Sequence, residues 1–254
     1  MWILLVLLIL GVLVAKSIHE LHKYNYNATI HHLQSLNSVV VQESLKEKQP
    51  LIIHNAGIKK NNLTHETLVS QNPGYIVQDG TKQVLLSTLS DKDVTQMVFY
   101  KNTKLSKDIG MNQEMETIAS PFETKLSCGR QCSISILKGN NITHLAQNTH
   151  DILILYQIQG HCSLYLINPK HKEDIQGKQS HHLKKWSHKI TLKPSLLVSI
   201  PSNWYYFYES TEPVIQCVIE SDTYPTWAYN QLRWLQSSPG SALHQKIFKR
   251  FIII

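Results

Sequence analysis

Apolar and polar positions alternate over short runs through most of this chain, a spacing that predicts strands rather than long helices. "PLIIHNAG" is a brief apolar run closed by Asn55 and Gly57. "GYIVQDGTKQVLLSTL" places two β-rich arms around Asp79-Gly80, a hairpin signal. "DKDVTQMVFY" reads as a short helix or a passage from helix to strand. "CSISILKGNNITHLAQ" alternates and then turns at Gly139-Asn140-Asn141. "DILILYQIQGHCSLYLINP" is two strands around Gly160, and "HKITLKPSLLVSIP" is two more around Pro194-Ser195. "WYYFYES" and "VIQCVIES" complete the set. Many short strands with closely spaced turn signals, and no internal repeat, predict a mainly β sandwich or barrel.

Both ends depart from this texture. Trp2 to Ala15 is an unbroken apolar run of about 21 Å as a helix, short of the roughly 30 Å hydrocarbon core of a bilayer. Continuing through Ser17, Ile18 and Leu21, with Lys16 and Lys23 reaching back to the interface, brings it near spanning length. Residues 1–22 are therefore expected to form a single-pass membrane anchor. The alternative is a signal peptide cleaved after Ala15, leaving a secreted or lumenal protein, against which stand the bulk of Leu13 and the absence of a preceding basic residue. Lys16 and Lys23 favour a cytoplasmic domain, whereas sequons at Asn27, Asn62 and Asn141 would suit a lumenal one. Residues 23–44 read as a juxtamembrane linker or helix and 45–222 as the β domain. In 223–254, Trp227, Leu232 and Trp234/Leu235 recur at helical spacing before a break at Ser238-Pro239-Gly240. Lys246, Lys249 and Arg250 then flank apolar residues. This C-terminal helical segment is expected to pack on the β domain, on a protein partner or on a second copy; a membrane-surface contact is the sharper alternative.

Composition narrows the class. The 254 residues, 42% hydrophobic and 17% charged, are those of a folded domain. The net charge of +7 is spread along the chain, and with no groove-reading helix or RNA-binding strand no nucleic acid is expected. The Lys/His-rich connection 170–189 reads as a solvated loop. The four cysteines, Cys128, Cys132, Cys162 and Cys217, lack zinc spacing. Cys162 and Cys217 lie in strand-like runs where free buried thiols are common, and a Cys128–Cys132 disulfide is open in an oxidising compartment.

"KQPLIIHNAG", "GNNITHLAQNTHDILILYQIQGHCSLYLINP", "ITLKPSLLVSIPSNWYYFYES" and "PVIQCVIESD", in this order over roughly residues 45 to 222, resemble the JmjC/cupin-like (cupin-8) domain. The resemblance implies a double-stranded β-helix (cupin/jelly-roll) barrel of the Fe(II)/2-oxoglutarate-dependent hydroxylases. There, iron is held by an H-x-D pair and a distal His. Counted back from Gly160 without a gap, the H-x-D positions fall on Gln147 and Thr149, and counted forward from Thr143 they fall on Ala146 and Asn148, while the distal His falls on Tyr206. The lysine that often grips the co-substrate falls on Cys162, and the usual Pro-Gly-Asp turn reads Pro194-Ser195-Leu196. Thr143, which matches a position contacting the co-substrate in some members, is kept.

Amide, hydroxyl and phenol groups cannot match the affinity of imidazole and carboxylate for Fe(II). The resemblance therefore implies a degenerate member without catalytic residues, metal or cofactor, a pseudoenzyme acting as a binding or structural module. Thr143, Asn148, Cys162 and Trp204 would line its pocket. The rival expectation is an active hydroxylase using Fe(II) and 2-oxoglutarate, with ligands relocated to His144, His150 and Asp151. On a strand, His144 and His150 share a face by parity, whereas His150 and Asp151 point oppositely.

Overall fold

Two sheets and a hairpin are formed by strands that mostly follow the period-two pattern. The computed structural model describes residues 2–27, 29–56, 63–79, 82–91 and 97–237. The chain opens with α1 (Trp2–His22), β1 (His31–Ser35), α2 (Ser38–Lys46) and β2 (Leu51–Asn55). Next come α3 (His65–Gln71), the hairpin β3 (Ile76–Asp79) and β4 (Lys82–Leu85), β5 (Met97–Asn102), α4 (Thr103–Asp108) and α5 (Met111–Ala119). The strand-rich half holds β6 (Ser127–Lys138), β7 (Asn141–Ile142), β8 (Ala146–Gln147), β9 (Ile152–Gln159) and β10 (Cys162–Ile167). After α6 (Lys172–Ile175) come β11 (Ser187–Leu192), β12 (Leu197–Pro201), β13 (Tyr205–Ser210), β14 (Val214–Thr223) and α7 (Tyr224–Ser237).

The large sheet has seven strands in the order β1-β2-β12-β9-β14-β6-β5, and the small one runs β11-β10-β13-β7 with β8 also on β13. Only β1 and β2 pair in parallel within the large sheet, which makes it mixed. Strand parity divides the core in two. Ile215, Cys217 and Ile219 of β14 face a cluster with Phe99, Leu105, Met111 and Met115 on the helical side. Val214 and Val218 face the other way, where they meet Leu164, Leu166, Tyr206 and Tyr208 of the small sheet. Side chains of both sheets thus share the second of these clusters, an arrangement compatible with a β-sandwich, and each fully buried aliphatic or Phe side chain contributes about 1.5–3 kcal/mol.

The segment read as a linker supplies β1 and α2. Helix α2 starts where the Asn37 side chain accepts the N–H groups of Val39 and Val40. The connection at 170–189 is more ordered than the expected solvated loop. It forms α6 and two 3₁₀ turns, and buries Ile175 and Leu183 against Tyr165, Ile167 and Phe207. Its lysines and histidines hid two apolar anchors.

The expected membrane anchor is corrected. Among the described residues no helix is long and apolar enough to cross a membrane. Ser17 to Leu21 would have had to extend the apolar run, but this end of α1 is docked on the β domain instead. Leu21 is buried, its carbonyl accepts hydrogen bonds from Ser202 and Asn203, and the His22 ring meets Tyr229 of α7 edge-on at 5.7 Å.

The turns around Gly160 and Ser195 match their sequence signals. Gly160 has φ +75°, and a Cβ there would lie 2.1 Å from the Pro213 carbonyl oxygen. Ser195 holds the left-handed conformation at φ 72°, which glycine adopts more readily than serine. Several sequence features lie outside the described residues. They are Gly57, the Asn62 sequon, the Gly80 turn, residues 92–96, the break at 238–240 and the basic segment with Lys246, Lys249 and Arg250.

Gly160→Ala combines left-handed strain with a backbone clash and is expected to destabilise the fold by about 3 kcal/mol or more. The urea midpoint relative to wild type measures this.

Candidate functional site

Two carboxylates lie near the end of a mostly apolar strand. Glu220 and Asp222 of β14 are 7% and 4% exposed, with a register shift in the pairing to β6 between them. Burying such charges demands partners. The first is Lys101, where the β5–β6 register breaks between Phe99 and Asn102. Its backbone takes φ 51°, its N–H donates to Ser135 Oγ at 3.0 Å, and its ammonium forms a short ion pair with Glu220.

His150 supplies the second partner from the turn before β9. Its own N–H donates to Asn148 Oδ1 at 2.9 Å, which fixes the turn. Its Nδ1 lies 3.0 Å from Asp222 Oδ2, and its Nε2 lies 3.5 Å from Glu220 Oε1. Asp222 also accepts the Asp151 N–H at 3.1 Å and the Asn230 amide at 3.2 Å. Burial alone would favour neutral imidazole, but the bond to Asp222 and the charges of Glu220 and Asp222 outweigh it and raise the His150 pKa.

On the inter-sheet side the network reaches two phenols. Tyr206 Oη lies 3.3 Å from Tyr100 Oη. Burial pushes Tyr206 up to about 12, with Glu220 adding to the shift, and burial also raises Tyr100. Neither phenol ionises near neutral pH, so this end of the network carries hydrogen bonds and not charge.

The residues singled out in the sequence divide into separate roles. Gln147 is exposed and its amide reaches the Asn203 carbonyl at 3.4 Å, whereas Tyr206 is buried. Thr149 lines an open cleft of about 610 Å³ with His150, Gln131, Asp222, Trp227 and Asn230. Asn148 is a buried bracket: its amide donates to the Ile200 carbonyl at 2.8 Å, and its backbone bonds Asn203 and Trp204. Thr143 Oγ1 accepts the Tyr208 N–H at 2.8 Å. Cys162, buried on β10, is pushed up to about 12 by burial and lies 3.8 Å from Gln157 Oε1. Trp204 is fully buried, and its indole N–H has no hydrogen-bond partner among the described residues. Of the relocated set, His144 is exposed, while Asp151 accepts the backbone N–H and hydroxyl of Thr223, both at 2.8 Å.

These donors do not fit an iron site of the hydroxylase type. Gln147, Thr149 and Tyr206 supply neutral oxygen or amide groups in three different settings. His150 has its two ring nitrogens against two different carboxylates, so turning either nitrogen to a metal would break an ion pair. Among the described residues no group of three His, Cys, Asp or Glu side chains is arranged to hold a metal ion.

Lys101, Tyr100, Glu220 and Asp222 were not singled out by the sequence reading. The usable signal was "IESD" at the end of a strand that is mostly apolar before it, because acids there must find cations. The cation came from a bulge that periodicity does not reveal.

A raised folded pKa means that the His150 contribution to stability is complete below the unfolded value of about 6.5 and is lost as pH rises through the folded value. The His150 ring should titrate above pH 6.5 by NMR. Asp222→Asn should lower the midpoint, and His150→Gln should remove this part of the stability decline with rising pH.

No family model matches the chain, and no curated protein matches it. The cluster is a buried ionic clamp beside an open, mostly polar cleft that includes Trp227.

Proposed function

We propose that this chain is a degenerate JmjC/cupin-like domain, built as a double-stranded β-helix, that works as a binding or structural module without iron chemistry. The observation that carries this reading is Tyr206. Its buried phenol stands where the resemblance expects the distal histidine, and it is packed edge-on against Tyr208 with ring centroids 5.7 Å apart. A weakly acidic phenol held against Tyr100 is a poor ligand for ferrous iron at neutral pH.

Two further features support the reading. The His150–Glu220–Asp222–Lys101 ion network uses charged groups to tie the β5, β9 and β14 ends together, which is a scaffold role. Helix α7 presents Tyr224 and Trp227 in exposed positions beside Leu232, and large aromatic side chains such as the first two are favoured anchors for a protein partner. Trp227 also rests on Gly129, where a Cβ would come within 2.7 Å of its ring, so its position is held by backbone contact.

The test is metal content and co-substrate turnover of the full chain. After anaerobic loading with Fe(II) and removal of excess, elemental analysis is expected to find no stoichiometric iron, and 2-oxoglutarate should not be converted to succinate. One iron per chain with succinate formation, both lost in His144→Ala or His150→Ala, would replace this reading with that of a hydroxylase using relocated ligands.

A further inference from the structure

Two cysteines far apart in sequence meet on the helix-covered face of the large sheet. Cys132 on β6 pairs with Ile219, and Cys217 on β14 pairs with Ile134, so the two side chains are diagonal neighbours across one ladder. Their sulfurs are 3.3 Å apart, and both cysteines are free thiols. A disulfide needs the sulfurs to close from this distance to about 2.05 Å.

The two thiols differ in access. Cys217 is fully buried, whereas Cys132 forms part of the wall of a surface groove of about 270 Å³ together with Asn112, Met115, Glu116 and Arg130. The Ser106 hydroxyl lies 3.2 Å from the Cys132 sulfur. The hydrogen bond with Cys217 lowers the Cys132 pKa, helped by Ser106 and the Arg130 charge, while the same bond and burial raise Cys217. Thiolate character thus gathers on the sulfur that faces the groove.

We propose that Cys132 and Cys217 form a reversible intramolecular disulfide, with Cys132 meeting a peroxide oxidant in the groove and Cys217 resolving the product. In the first step the Cys132 thiolate attacks one peroxide oxygen. The S–O bond forms, the O–O bond breaks, and the departing hydroxide takes up the proton released by Cys132 to give water. In the second step the Cys217 sulfur attacks the sulfenic sulfur of Cys132. The S–S bond forms, the S–O bond breaks, and the hydroxide leaves with the Cys217 proton as a second water. Two thiols lose two electrons and one peroxide gains them.

The other cysteines take no part. Cys128 lies at the far end of β6 opposite Asp222, and burial together with the Asp222 and Asp151 charges raises its pKa. Cys162 sits on β10 in the other sheet. The inference is independent of the JmjC-like reading, since it rests on the β6–β14 ladder alone.

The experiment treats the reduced full chain with hydrogen peroxide under native conditions, then alkylates it in denaturant and maps the peptides by mass spectrometry. Free thiols should fall from four to two, with one cross-linked peptide pair joining positions 132 and 217 that dithiothreitol separates. In Cys217→Ser, dimedone should label Cys132; in Cys132→Ser, Cys217 should stay reduced. A Cys128–Cys132 bridge, only intermolecular bridges, or an unmodified Cys132 in wild-type protein would overturn the proposal. The wild-type peptide map decides the matter even where a variant fails to fold.

Discussion

Burying two carboxylates at the end of one strand is the demand around which this molecule is arranged. Glu220 and Asp222 lie on β14, which is paired on both sides and cannot offer its ends to solvent. Removing one partner of a buried ion pair typically costs about 3–5 kcal/mol. Lys101 accepts a left-handed backbone that costs of order 1–3 kcal/mol, and it is held there by neutralising Glu220. His150 and Asn230 answer Asp222, so three otherwise separate parts of the chain (the β5 bulge, the turn before β9 and helix α7) are fastened to one strand end.

That arrangement also explains why this strand end suits a clamp better than a metal centre. Coordination requires several donors pointing at one empty position, whereas here the donors point at one another. The Tyr206 phenol continues the same logic toward the inter-sheet core, where it is buried and meets the Tyr100 hydroxyl in a neutral hydrogen bond in place of a charge.

The strands were legible where one face is apolar and turns carry Gly, Pro or Asn, as around Gly160, Pro194 and Gly139. β1 was not, because "HHLQS" is an edge strand with little buried surface. Helices α4 and α5 were missed because they are short, and their apolar residues Leu105, Met111, Met115 and Ile118 are thinly spaced among polar ones. The N-terminal run misled in the other direction: apolar content spoke for a membrane, while the docking of Leu21 onto Ser202 and Asn203 is a contact between residues some 180 positions apart. His150 was noticed, but its meaning lay in Glu220, Asp222 and Lys101. No local pattern brings those residues together, and the sulfur contact of Cys132 with Cys217 was hidden for the same reason.

The position of β14 has a kinetic consequence. It is the last strand among the described residues, yet it lies between β9 and β6 in the large sheet, and its ladder to β6 joins residues as far apart as Ser127 and Thr223. Before it arrives, β1-β2-β12-β9 and β6-β5 are two fragments with unsatisfied edges and no shared hydrogen bonds. Closing so long a loop is entropically slow, and folds dominated by such pairings complete in milliseconds to seconds. A nascent chain therefore carries two exposed sheet edges until β14 is made, and those edges are where it is open to aggregation until then.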